Sequence, residues 1–334
     1  MKVKNIAFLV LITSLFVACQ PESDVATSTP KQAKKDVLVP TFSSDSAYQF
    51  IQDQVDFGPR VPNSDAQVAC SKYLQQKLES YGAEVIMQEA QVYAYDNSAL
   101  RMINVIGQFQ PEKKRRIMLY AHWDTRPWAD KDSVAAMVHK PIDGANDGGS
   151  GVGVLLEIAR HISKSQPDHG IDIVFFDTED YGTPEFAEQD GNYLSWCLGS
   201  QYWSENKHKP NYRAKFGILL DMVGSNTATF PKEGTSMHFA PHIVDKVWRS
   251  AKKTGNGNYF TDEITGHTID DHRFVNEIGG IPSMCIVEYH TNFITMGLSN
   301  YGAFHHTHKD NMDVIDKKTL QAVGETVMHT IYTE

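Results

Sequence analysis

Ile117-Met118-Leu119-Tyr120-Ala121 runs without a break into His122-Trp123-Asp124. A short, unbroken apolar run suits a strand covered on both faces, because a strand with one wet face would alternate. Two more runs repeat the pattern: Ile173-Val174-Phe175-Phe176 enters Asp177-Thr178-Glu179-Asp180, and Ile218-Leu219-Leu220 enters Asp221. Each strand hands off at its carboxyl end to a carboxylate or an imidazole.

Around these strands the apolar period becomes helical. Residues 43–55 carry Tyr48, Ile51 and Val55 at helical spacing, and 63–81 place Ala66, Cys70, Tyr73, Leu74, Leu78 and Tyr81 on one face, stopped by Gly82. Residues 148–163, 241–253 and 317–333 read as further helices, while 84–95, 102–108 and 281–287 read as strands. Alternation of this kind, with no repeat and no central linker, implies a single α/β domain with a mostly parallel central mixed sheet flanked by helices. In such sheets ligands gather at the carboxyl ends of the strands.

The amino terminus reads as an address. Lys2 and Lys4 precede an apolar run ending in Leu15-Phe16-Val17-Ala18-Cys19, too short to span a bilayer but long enough for a secretory leader. The ending resembles a bacterial lipobox, which makes residues 1–18 a lipoprotein signal peptide and Cys19 the lipidated residue. Residues 19–41 are polar and read as a disordered tether, so the catalytic domain is expected over 42–334. The implied location is the bacterial cell envelope, lipid-anchored and facing the periplasm or the exterior.

Hydrophobic residues at 41% and charged residues at 22% supply a buried core and exclude wholesale disorder. A net charge of −10, which becomes more negative once Lys2 and Lys4 are removed, disfavours nucleic acid as a partner. Beyond Cys19 the chain has Cys70, Cys197 and Cys285, in no metal or redox spacing. At most one disulfide closes among them, and at least one is expected to be a small buried apolar side chain.

Asp147 lies in Gly144-Ala145-Asn146-Asp147-Gly148-Gly149-Ser150-Gly151, just ahead of a helix, where an acid is ordinarily an N-cap. Taken alone, Asp221 is a solvated strand end and Glu179-Asp180 a charged loop tip. Taken together, four acids on one rim repel one another unless a cation holds them. His305-His306-Thr307-His308 lies in a loop before the last helix and adds imidazole. Oxygen and imidazole donors without thiolate suit Zn2+ in an open, catalytic shell. His267, His272 and His290 read as surface or packing residues.

In this order, His122-Trp123-Asp124-Thr125, the 144–151 glycine-rich loop, Phe175–Asp180, Leu219-Leu220-Asp221 and His306 resemble the zinc aminopeptidase superfamily M28, over about 42–334. The resemblance implies a zinc-exopeptidase-like (phosphorylase/hydrolase-like) fold. Phe176-Asp177-Thr178-Glu179-Asp180-Tyr181-Gly182, the 196–203 stretch and Ile269-Asp270-Asp271-His272 look more like its glutaminyl cyclases, in their bacterial form. That family resemblance implies one Zn2+ per chain on Asp147, Asp180 and His306, with Glu179 as proton shuttle. It also implies that Asp221 and Asp270 are supporting acids near Glu179, which we expect to share a proton and hold it in place. Animal cyclases carry Glu where this chain has Asp180, Trp where it has His305, and His where it has Cys285. Trp196, Phe186, Tyr193 and His305 are the expected pocket walls.

The implied reaction converts the amino-terminal Gln of peptides or exported proteins to pyroglutamate with loss of ammonia, by a protein expected to be monomeric. The rival is an M28-type two-zinc aminopeptidase, because His122, Asp147, Asp180, Asp221 and His306 occupy all five of its ligand positions. A third reading, a non-catalytic binding protein, leaves the intact Glu179 without a purpose.

Overall fold

The computed structural model describes residues 38–189, 191–297 and 299–334. The leader, Cys19 and most of the expected tether lie outside these residues. Helix α1 (Ser44–Val55) starts where the Ser43 hydroxyl accepts the Ser46 N–H, and α2 (Asp65–Ser80) where Ser64 accepts that of Gln67. A hairpin follows, β1 (Glu84–Tyr93) and β2 (Ala99–Phe109), and then β3 (Arg116–His122), α3 (Ser150–Ile162), β4 (Gly170–Phe176) and α4 (Leu198–Glu205). Next come β5 (Gly217–Asp221), β6 (Phe230–Lys232), α5 (Gly234–Phe239), α6 (Pro241–Lys253) and β7 (Phe260–Ile264). The chain closes with α7 (Asp271–Glu277), β8 (Ser283–Val287) and α8 (Lys317–Tyr332).

The fold is a single α/β domain around a six-stranded mixed sheet in the order β1-β2-β4-β3-β5-β8. Strands β4, β3, β5 and β8 run parallel, whereas β2 is antiparallel to both its neighbours. The parallel strands are the continuous apolar runs, as burial on both faces demands. Their alternation decides which layer each residue enters. Ile117, Leu119 and Ala121 join Ile171, Ile173, Phe175, Ile218 and Leu220 in the larger core, under α1, α3, α6 and α8. Met118 and Tyr120 join Val174, Phe176, Leu219 and Cys285 on the opposite face, with Trp203 of α4 and Val275 of α7.

Strand order reverses at β3: its successor β4 lies on one side and β5 on the other. The crevice beyond the carboxyl ends of these strands is therefore the natural ligand site. His122 is in register with Phe176, and Asp221 with Val287, so the acids and the imidazole meet on one rim.

Some elements differ from expectation. β1 stops at Tyr93 because the Ala94 N–H turns to the Ser98 carbonyl at 3.0 Å. Helices α4, α5 and α7 and the small parallel sheet of β6 and β7 went unforeseen, since elements of three to eight residues carry too little periodicity. Cys70, Cys197 and Cys285 are all free and buried, so no disulfide forms among them. Among the described residues no helix is long and apolar enough to cross a membrane.

Candidate active site

A cavity of about 370 Å³ opens at the crevice, lined by Asp147, Glu179, Asp180, Asp221, Asp270 and His306 together with Trp196, Tyr301 and His305. Several of these acids are aimed by neighbours that sequence reading left without a role. Asp124, just past β3, accepts the N–H groups of Glu179 (3.0 Å) and Asp180 (3.1 Å). Thr178 sits at φ 56°, so Glu179 and Asp180 leave β4 through a bend and do not alternate about a strand. The bend and the Asp124 clamp, and not the alternation of a strand, separate these two side chains. Asp177 is turned inward and accepts from Ile103 N, Gln67 Nε2 and Thr178 N.

Asp147 is not a helix cap. The N-cap of α3 is Gly149, with no side-chain bond, and Asp310 accepts Asn146 N (2.7 Å) and Asp147 N (3.0 Å), which leaves the Asp147 carboxylate free to face the cavity. Gly148 (φ 89°) makes this possible, since a Cβ there would lie 2.2 Å from the Asp124 carbonyl oxygen. Beneath the loop, fully buried Arg60 donates to the carbonyls of Trp123, Asp143 and Gly144.

His306, itself at φ 57°, places Nε2 3.2 Å from Asp180 Oδ1 and 3.7 Å from Asp147 Oδ2. Its Nδ1 faces Asp130 Oδ1 at 3.5 Å, and Arg126 grips that carboxylate while donating to the Asp180 carbonyl at 3.0 Å. The ring stacks between His305 (3.7 Å) and Trp196 (6.0 Å). Asp147 is shared: His122 Nε2 lies 3.0 Å from its Oδ1 and 3.2 Å from Asp221 Oδ1. Donor atoms of Asp147, His305 and His306 gather within 4.8 Å of one another, and so do those of His122, Asp147 and Asp221. Asp180 is in neither group and meets the first through His306 Nε2, 3.2 Å from its Oδ1.

This donor set fits a metal ion. Burial, then Asp147, hold the Asp180 carboxyl well above the ordinary carboxylate range. Burial likewise lifts Asp221, and burial followed by Asp221 and Asp271 lifts Asp270. Burial, with Arg126 and Lys131 nearby, holds His306 well below the usual histidine range, so its imidazole is neutral. With the ring proton on Nδ1, toward Asp130, Nε2 would present its lone pair to the Asp180 and Asp147 oxygens, a set of donor atoms that a cation would satisfy. Asp180 Oδ2 is buried without a hydrogen-bond partner. Tetrahedral donors about 2.0–2.1 Å from an ion stand roughly 3.3 Å apart, close to the His306 contact distances.

Glu179 stands beside this set. Its Oε1 accepts from the Cys197 thiol at 3.1 Å, and its Oε2 lies 4.0 Å from His122 Nδ1. Burial, opposed by His122 and reinforced by Asp180, Asp271 and Asp270, holds its carboxyl well above the ordinary range. Asp270 caps α7 and accepts from Asp271 N (2.6 Å) and the Cys285 thiol (3.4 Å), while Asp221 pairs with His122. Asp221 lies near enough to raise the Asp270 carboxyl, although each acid also has hydrogen-bond partners of its own.

Trp196 and His305 line the cavity, but Phe186 and Tyr193 lie outside its lining. Phe186 packs instead on Trp128 and His139, and Tyr193 stacks on Phe274 beneath Arg273. Composition of the 186–193 loop made them plausible walls; only the path of that loop turns them away. Among the weaker histidines, His272 is fully buried against Glu233 (2.9 Å) and His290 meets Glu288 (2.8 Å), whereas His267 reaches the cavity lining.

Residues 104–331 match peptidase family M28, which spans more than half of the chain. The chain belongs to this family. A glutaminyl cyclase of Bacteroides thetaiotaomicron, whose crystal structure holds N-acetylhistamine, is 52% identical to this M28 chain, with a TM-score of 0.86 over 89% of this chain and 100% of the other. A leucine aminopeptidase precursor from the same organism is 53% identical, with a TM-score of 0.85 over 89% and 99%. The glutaminyl-peptide cyclotransferase of Bos taurus is 24% identical over 294 residues, covering 80% of this chain and 76% of the bovine one.

Proposed function

We propose that this M28 protein is a zinc-dependent glutaminyl-peptide cyclotransferase, converting the amino-terminal Gln of peptides or exported proteins to pyroglutamate with release of ammonia. Asp147, Asp180 and His306 would hold one Zn2+ per chain, which when bound supplies a Lewis acid for the γ-carbonyl oxygen of the substrate. The substrate's α-amine attacks its own γ-carboxamide carbon, so a C–N bond forms as another breaks and no water is consumed. Glu179 takes the proton from the attacking amine and returns it to the departing nitrogen. Trp196 and His305 wall the pocket, and Asp221 and Asp270 keep the surroundings of Glu179 acidic and dry.

The observation that carries the reading is the seat of His122. Its Nδ1 lies 3.6 Å from Asp124 and its Nε2 3.0 and 3.2 Å from Asp147 and Asp221, so as a protonated ring it would pair with these acids itself, beside the set of Asp147, Asp180 and His306 and a separate proton carrier. A second reading, a two-zinc aminopeptidase, is favoured by the same cluster if His122, Asp147 and Asp221 hold an ion. The third, a non-catalytic binding protein, gives Glu179 no task. We further infer a monomer that binds no nucleic acid and is tethered to the bacterial envelope through a lipid on Cys19.

Mass spectrometry of a short Gln-initiated peptide incubated with the protein, with and without chelator, tests this. Loss of one ammonia, chelator-sensitive, with one zinc per chain is expected. Release of free amino acids by a protein carrying two zincs would establish the peptidase instead.

A further inference from the structure

Asp124 fixes the backbone at Glu179 and Asp180 alike, yet nothing in that clamp tells the longer side chain to stay away from the ligand set its neighbour joins. A Glu has three free torsions, and a carboxylate loose beside a cation is drawn into its shell. Something must hold the Glu179 carboxylate aside. Among the described residues the one hydrogen-bond donor to it is the thiol of Cys197, 3.1 Å from Oε1.

We propose that Cys197 is a positioning residue whose thiol holds the Glu179 carboxylate in its proton-carrying orientation. The contact is delivered by the backbone. Cys197 N–H donates to the Glu179 carbonyl (2.9 Å) and Leu198 N–H to that of Thr178 (3.0 Å), so the segment before α4 is bonded directly to the bend that carries Glu179. Close packing holds it there: a Cβ on Gly199 would lie 2.1 Å from the Asp177 carbonyl oxygen. Cys197 itself sits at φ 58°, a left-handed conformation unfavourable for a non-glycine residue that persists only where its surroundings impose it.

The chemistry agrees with a donor role. Burial, then Glu179, Asp271 and Asp270, push the thiol well above its ordinary range, so it keeps its proton. It is free of any disulfide. The arrangement recurs one shell away, where the Cys285 thiol lies 3.4 Å from Asp270 Oδ2.

The inference rests on Glu179 as proton carrier, and three variants of the zinc-loaded protein test it. Cys197→Ala and Cys197→Gly both remove the donor, and the glycine is at ease at positive φ, so a folded variant is available even if the alanine protein is strained. Cys197→Ser keeps a donor. We expect kcat to fall about tenfold in the Ala and Gly proteins, with KM and zinc content unchanged, and to return to within about threefold of wild type in the Ser protein. Crystal structures of wild type and Cys197→Gly form the second arm, with the carboxylate of Glu179 displaced in the variant. Wild-type kcat in Cys197→Gly, or a Glu179 carboxylate in its original place there, would overturn the proposal. If wild type releases no ammonia, the functional reading fails, and the crystallographic arm alone then decides this one.

Discussion

Glu179 and Asp180 are adjacent in sequence, yet their carboxylates touch different groups: a thiol in one case and an imidazole in the other. Glu179→Gln keeps the shape of the side chain and removes its basicity. We expect that variant to retain its zinc and to lose turnover by about a hundredfold or more, the range for a positioned acid–base group; retained activity removes Glu179 from its role. Asp130 works at one remove. It faces Nδ1 of His306 at 3.5 Å and is held by Arg126, an arrangement that would orient the ring if it binds a metal. Asp130→Ala should weaken zinc binding by about 10- to 100-fold in chelator competition. Unchanged affinity would reduce Asp130 to a prop for Arg126. The ligand candidates were legible as residue types at strand ends. Asp130, Asp310 and Cys197 were not, because nothing local separates an acid that binds a backbone amide from one that faces a cavity.

At the level of elements, the loop between β3 and α3 shows how closely backbone and site are coupled. Gly148 and Gly255 both have positive φ, 89° and 82°, but only at Gly148 would a Cβ meet anything, the Asp124 carbonyl at 2.2 Å. Gly255→Ala should therefore cost about 1 kcal/mol in denaturant unfolding, and Gly148→Ala clearly more, with loss of zinc affinity as Asp124 and Asp147 are pushed apart. Equal costs would mean that the close approach is unimportant. The long strands and helices were readable because burial on one or two faces imposes a period. Helices α4 and α7, which carry Cys197 and Asp270 to the site at their amino-terminal ends, were not, since eight and seven residues complete only about two turns.

Over the whole molecule, pH tests the polar core away from the site. His208 accepts from the Trp203 indole at 3.1 Å, and burial holds it down to about 4. The unfolded chain takes up this proton near 6.5 and the folded one does so only near 4. The unfolded state thus binds more protons in between, so this group's contribution to stability is complete above about 6.5 and is lost as pH falls towards 4. Melting midpoints of wild type and His208→Gln should converge over that interval; parallel curves would show that the ring is not protected.

The amino-acid sequence alone determined the α/β architecture and the collection of acids and imidazoles at strand ends, because hydrophobic period is a local property and a strand's last residue is at its rim wherever the strand lies. Only the tertiary structure decided which groups converge. Asp124, Asp177 and Asp310 turn to backbone amides, Asp147 and Asp180 turn to His306, and Phe186 and Tyr193 turn to aromatic neighbours outside the cavity. These choices depend on contacts between residues far apart in sequence, such as the bond from Asp147 N–H to Asp310 across 163 positions, and on positive φ angles at Thr178, Cys197 and His306 that packing imposes against local preference.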